Sequence, residues 1–133
     1  MQTIYDLKLK QMEETLSGWQ IKPYRAKQIY AWLYRRRALS FEQMSDLPAD
    51  LIRRLNAEFS LAPLQVVDRQ VARDQTVKYL FALADGSTIE TVLMHFDFGE
   101  SVCVTSQVGC NMGCTFCASG LLKKQRDLSA GEM

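Results

Sequence analysis

The stretch Thr76-Val-Lys-Tyr-Leu-Phe-Ala-Leu-Ala-Asp-Gly-Ser-Thr-Ile-Glu-Thr-Val-Leu-Met94 decides the class of the fold. It is dense in Val, Tyr, Phe, Ile and Leu with a period near two, and Asp85-Gly86 interrupts it as a hairpin turn does. Strands are predicted over 76–84 and 88–94. Upstream, Leu64 to Arg73 reads the same way and joins through Asp74-Gln75. Downstream, Val102 to Ser106 reads as a short strand that leads into a cysteine-rich loop.

Before Pro63 the period is helical. Leu7, Leu9, Met12 and Leu16 recur at near-helical spacing, with Gly18 as the stop. Pro23 opens a second helix carrying Ile29, Trp32 and Leu33 on one stripe. A third runs from Pro48 to about Phe59, capped by Asp46, with Leu51, Ile52, Leu55 and Phe59 turned inward. Ala62 and Pro63 break the pattern, and Ser129 reads as the cap of a further helix. The expected class is α+β: a helical domain over 1–62, antiparallel strands over 63–100, and a strand and loop over 101–133.

Composition narrows the function without naming it. The 133 residues are 47% hydrophobic and 23% charged, the balance of an ordinary globular chain. Sixteen basic against 15 acidic side chains give a net charge of +1, which by itself points to neither nucleic acid nor membrane. No apolar run approaches the roughly 18 residues of a membrane span, and the first residues carry no signal-peptide pattern. A cytoplasmic protein is expected. There, four cysteines point to metal binding or catalysis rather than to structural disulfides.

The charge is unevenly spread. Between Thr15 and Phe41 there is no acid, yet Lys22, Arg25, Lys27, Arg35, Arg36 and Arg37 all fall there, interleaved with Tyr24, Tyr30, Trp32 and Tyr34. Basic side chains attract phosphate and aromatics stack on bases, so the stretch is a candidate RNA-contacting surface. The competing reading has the arginines complementing a helix dipole and the aromatics filling a core.

Cys110, Cys114 and Cys117 form C-x3-C-x2-C, with Gly109 and Gly113 freeing the backbone to wrap. Three thiolates from one loop can hold three corners of a four-iron cluster, leaving one iron open for a substrate, whereas ordinary electron-transfer clusters take four cysteines. With Cys103 as a fourth ligand the set reads instead as structural zinc. His95 is a weak ligand candidate, a lone histidine at a strand end.

C-x3-C-x2-C with Phe116 before the last cysteine resembles the radical S-adenosylmethionine (SAM) signature. The longer run Ser101-Val-Cys-Val-Thr-Ser-Gln-Val-Gly-Cys-Asn-Met-Gly-Cys-Thr-Phe-Cys-Ala-Ser119 resembles the RlmN-type RNA methyltransferases. Tyr24-Arg-Ala-Lys-Gln-Ile-Tyr-Ala-Trp-Leu-Tyr34 and Thr88-Ile-Glu-Thr-Val-Leu-Met94 are similar to that family too. The resemblance implies methylation of C2 of an adenosine in 23S rRNA and in certain tRNAs. It implies that Cys110, Cys114 and Cys117 hold a [4Fe-4S] cluster to which SAM binds, with Phe116 as a SAM contact. Glu90 would be the general base, and Cys103 the thiol that resolves a protein–RNA crosslink through a transient disulfide with a methyl-carrying cysteine. An electron-donating reductase or flavodoxin-type protein would be the redox partner, and the enzyme a monomer with no membrane association.

Read from the residues alone, Glu90 is a solvent-facing residue of an alternating strand, and Cys103 a small hydrophobe. The resemblance also implies a partial (β/α) barrel that starts within 101–133 and needs roughly 200 residues after the cluster loop, and a fifth cysteine to carry the methyl. The 133 residues are therefore expected to correspond to the N-terminal part of such an enzyme and to be inactive alone. Alternatives are a Cfr-type enzyme acting at C8 of the adenosine, an RNA-binding module with a structural metal, and a degenerate gene product.

Overall fold

A computed structural model describes residues 2–61 and 64–133. Its contacts divide the chain into two compact units, Met1–Ala62 and Pro63–Met133. The break expected at Ala62-Pro63 lies outside the described residues. Helices dominate the first unit and antiparallel strands the second, so the class is α+β as expected.

In the first unit β1 (Gln2–Thr3) leads through a short 3-10 turn to α1 (Leu9–Gly18) and α2 (Tyr24–Tyr34). A second 3-10 turn at Phe41–Gln43 precedes α3 (Ala49–Glu58) and β2 (Phe59–Ser60). β1 and β2 pair in parallel, Gln2 opposite Phe59. At the start of α1 the Gln11 side chain accepts from the Lys8 backbone N–H at 2.9 Å, satisfying a donor the helix itself cannot. The stop expected at Gly18 sits two residues later. Gly18 is still helical, and the chain reverses at Gln20, whose φ of 61° lets Ile21 N–H donate back to Leu16 O at 2.9 Å.

α2 follows Pro23, as proline's fixed φ allows, and turns Ala26, Ile29 and Leu33 inward. Asp46 does not cap α3. Pro48 occupies the N-cap without a side-chain bond, and Asp46 Oδ1 instead accepts from Trp32 Nε1 at 2.6 Å, the acceptor a half-buried indole N–H needs. Ile4, Leu16, Ile29, Phe41, Met44 and Leu55 are fully buried in one core. Burial of each stabilises the unit by about 1.5–3 kcal/mol.

The second unit is built on a four-stranded antiparallel sheet in the order β3 (Leu64–Val71), β4 (Val77–Leu83), β5 (Thr88–Phe96), β6 (Gly99–Cys103). Local side chains set its turns. Asp74 Oδ1 accepts from Thr76 N–H and Asp85 Oδ1 from Ser87 N–H, while Gly86 adopts a φ of 83°. The strand expected over Val102–Ser106 lies three residues earlier, because Gly99, at a φ of 129°, lets the chain fold straight back from β5. Beyond it β7 (Gln107–Val108) and β8 (Arg126–Asp127) pair antiparallel and close the cysteine loop at its base. Val108 and Leu128 pack with Leu83 and Ile89 in a small second core. At Ser129 a turn forms, whose Glu132 Oε2 accepts from Ser129 N–H at 2.9 Å.

Candidate active site

Sheet register brings two of the candidate residues together. Val92 on β5 lies opposite Lys78 on β4 and opposite Cys103 on β6. Directly opposed residues share a face, and so do residues two apart on one strand, so Lys78, Glu90, Val92 and Cys103 all lie on one side. Glu90 is thus the diagonal neighbour of both Lys78 and Cys103, at the roughly 7–8 Å separation typical of such pairs. An ion pair of 3.2 Å between Lys78 Nζ and Glu90 Oε1 spans the first diagonal. Glu90 and Cys103 are both exposed.

The base of the cysteine loop packs elsewhere on the same sheet. Val108 and Leu128 share one buried cluster with Leu83 and Ile89, and Ile89 alternates with Glu90 and therefore faces the opposite side. Arg126 fastens this base: its Nε donates to Asp85 Oδ2 at 2.7 Å, and its two terminal nitrogens to Glu132 at 2.7 and 2.9 Å. The Arg126 guanidinium, with Ser87 N–H, holds the Asp85 carboxyl down at about 2. Sequence reasoning passed over Arg126, since nothing in its immediate surroundings marks it. A cleft of about 450 Å³ lies between the Asp85–Thr88 turn and loop residues Gly109, Leu122 and Gln125.

Within the loop, Gly109 has a φ of 73°, and a Cβ there would meet Lys123 O at 2.2 Å, so the close approach of the two limbs requires glycine. Cys110 N–H donates to Leu122 O at 2.8 Å across the same closure. Cys110 and Cys114 are partly buried, Cys103 and Cys117 exposed, and all four are free thiols. Backbone N–H groups of Ser119 and Gly120 hold the Cys117 thiol below the usual thiol range, and Met112 N–H faces Cys110 Sγ at 3.4 Å. Among the described residues no three Cys, His, Asp or Glu side chains are gathered as ligands of one metal ion. As a donor set the loop still fits an iron–sulfur cluster: three thiols on a glycine-freed loop, with backbone N–H groups near two sulfurs. Phe116 is 90% exposed. His95 sits at the end of β5, 3.3 Å from Glu100.

On the first unit the basic stretch divides into two kinds. Arg25 is committed internally, donating to Gln28 Oε1 at 2.7 Å and to Asp46 O at 2.8 Å. Lys22, Lys27, Arg35, Arg36 and Arg37 are exposed, and Arg36 lies 4.1 Å over the Trp32 ring. Of the three arginines only Arg35 caps α2; Arg37 adopts a left-handed φ of 53° beyond it. Tyr24 and Tyr34 are about half exposed, whereas Tyr30 and Trp32 pack against the core.

Residues 2–61 match the family described as Ribosomal RNA large subunit methyltransferase N-terminal domain. Over 131 residues, 98% of the chain, it is 53% identical to a probable dual-specificity RNA methyltransferase RlmN of Exiguobacterium sibiricum, and 56% identical to the protein of the same description from Streptococcus sanguinis. Over nearly its whole length the chain is similar to these RlmN proteins. It spans 37% and 36% of the length of those two RlmN relatives. The crystal structure of a radical SAM methyltransferase from Sphaerobacter thermophilus superposes with a TM-score of 0.92 at 42% identity, covering 100% of this chain and 39% of that one. Among the described residues no helix is long and apolar enough to cross a membrane.

Proposed function

We propose that the chain forms the RNA-contacting and cluster-binding N-terminal part of a radical SAM enzyme that methylates C2 of an adenosine in 23S rRNA and in certain tRNAs. In this reading residues 1–62 contact RNA, 63–100 connect, and 101–133 begin the catalytic domain. The observation that carries it is that Glu90 and Cys103 share one sheet face as diagonal neighbours, immediately ahead of the three-cysteine loop. The names of the RlmN relatives and the radical SAM neighbour support the same class of reaction.

Cys110, Cys114 and Cys117 would hold the [4Fe-4S] cluster, with Phe116 beside bound SAM. When bound, the cluster supplies the electron that cleaves SAM, and a reductase or flavodoxin-type protein in the cytoplasm replenishes it. Glu90 receives the proton lost from the ring carbon, which needs its carboxylate within hydrogen-bond reach of that carbon. Cys103, exposed at the strand end, forms the transient disulfide that frees the methylated RNA. Lys22, Lys27 and Arg35 to Arg37 attract the RNA backbone, as a monomer suffices to do.

Deleting the gene and digesting 23S rRNA and tRNA to nucleosides tests this directly. Loss of 2-methyladenosine from both, restored by the intact gene, is the expected result. Loss of 8-methyladenosine instead would give the C8 reading. Unchanged nucleosides together with tight zinc binding that requires Cys103 would make the chain an RNA-binding module with a structural metal.

A further inference from the structure

We infer that Lys78 is a positioning residue for Glu90, holding one carboxylate oxygen so that the other meets the proton of the adenine ring. The inference rests on the reading of Glu90 as the base. Four observations support it. Among the described strand residues of that sheet face, Lys78 is the one cation, and the acids are Asp68 and Glu90. Asp68 is engaged by Gln70 Nε2 at 3.0 Å and by Arg69 N–H at 2.8 Å, whereas Lys78 Nζ contacts Glu90 Oε1 at 3.2 Å. Lys78 is itself fixed by register, opposed by Gln70 on one side and Val92 on the other in a strand paired along both edges. Cys103 flanks Glu90 on the remaining diagonal, so the cation bears on the acid beside the reactive thiol.

The chemistry of a general base explains why such a contact matters. A glutamate on a strand surface has three rotatable bonds, and proton transfer demands near-contact geometry with the acceptor lone pair aligned. With Oε1 held by the ammonium, proton transfer falls to Oε2. When RNA covers the face and water leaves, the attraction between the two charges strengthens, so the carboxylate is held most firmly at the moment of reaction. In the open sheet the same pair adds little stability, because both side chains are about half exposed. Positioning and folding roles are therefore separable.

The test uses the full-length enzyme, anaerobically loaded with iron and sulfide, as Lys78→Met, Lys78→Arg, Glu90→Gln and the Lys78→Met/Glu90→Gln double variant. Lys78→Met is expected to lower kcat roughly ten- to a hundredfold, the cost of a misplaced catalytic group, at unchanged KM for RNA and unchanged melting temperature. Lys78→Arg should recover most of the rate. The double variant should be no slower than Glu90→Gln, since both changes disable one unit. In the 133-residue chain, the carbon-13 signal of the Glu90 carboxyl should shift in Lys78→Met and stay near its place in Lys78→Arg. A Lys78→Met enzyme at full kcat overturns the proposal, and so does a loss confined to KM, which would make Lys78 a phosphate contact. If Glu90→Gln itself runs at full rate, the base reading fails first; a slow Glu90→Gln beside a fast Lys78→Met removes Lys78 alone.

Discussion

Cys103 and Glu90 occupy adjacent strands and one face, with Val92 between them in the ladder: Cys103 is paired to Val92, and Glu90 is two residues along from it. The three other cysteines lie past β7 in a loop whose base rests on the opposite face. This separation predicts distinct phenotypes. Cys114→Ala should abolish the broad visible absorption of a reconstituted iron–sulfur cluster, because it removes a ligand. Cys103→Ala should keep that absorption and yet stop RNA release, seen as covalent protein–RNA adduct on a denaturing gel in the full-length enzyme. A Cys103→Ala protein unable to build the cluster would contradict the division of roles.

Acid should loosen the second unit through Asp85 and Glu132. Both carboxyls are held below their ordinary values by Arg126, Asp85 down to about 2 from an unfolded value of 3.8. A depressed folded value means the stabilisation is complete above the unfolded value and is lost as pH falls through the folded one. Urea midpoints followed by circular dichroism should therefore decline between about pH 4 and pH 2, more steeply in the native chain than in Asp85→Asn. Identical slopes for the two proteins would remove Asp85 from the account.

The basic stretch of the first unit should split by side-chain commitment. Replacing Lys22, Lys27, Arg35 and Arg37 should weaken binding of the 133-residue chain to structured RNA. Its salt dependence should flatten by about 0.7–0.9 logarithmic units for each phosphate the variant no longer neutralises. Arg25→Ala should instead cost stability, about 1 kcal/mol for each hydrogen bond to Gln28 and Asp46, with the salt slope kept. A flattened slope in Arg25→Ala, read by filter binding across a salt series, would reverse the assignment.

Gly109 and Gly113 both have positive φ, but only Gly109 is hemmed in. Gly113→Ala should cost about 1 kcal/mol, from backbone conformation alone. Gly109→Ala adds a collision with the Lys123 carbonyl and should open the loop base, seen as faster hydrogen exchange at Cys110 N–H and Gln125 N–H. Equal exchange in the two variants would show that the close approach is dispensable.

Local chemistry made the hairpins legible. Asp85-Gly86 could be read because an Asx side chain and a glycine suffice to set that turn, and the helical stripes of Met12, Leu16, Ile29 and Leu55 could be read because one buried face imposes them. What escaped depends on partners distant in sequence. The parallel pairing of Gln2 with Phe59 involves two-residue strands too short to show a period. Asp46 looked like a cap until the indole of Trp32 claimed it. β6 began three residues early because the turn before it rests on Gly99 rather than on a familiar dipeptide. In the site, the spacing of Cys110, Cys114 and Cys117 was visible at once. Glu90 had no local mark, and its company on the sheet face follows only from the register of three strands.

The short β7–β8 ladder, with Arg126 fastened across it, bears on how fast a metal centre could assemble. A flexible segment must first bring its ends together, at an entropic cost that grows with the logarithm of its length. Here Cys110 N–H to Leu122 O and Gln125 N–H to Val108 O have already made that closure. The thiols of Cys110, Cys114 and Cys117 thus search a small tethered volume, at an effective concentration set by the short backbone between them rather than by the whole chain. Once one thiol has captured iron, the next thiol encounters are intramolecular, so at fixed iron and sulfide assembly should be first order in protein.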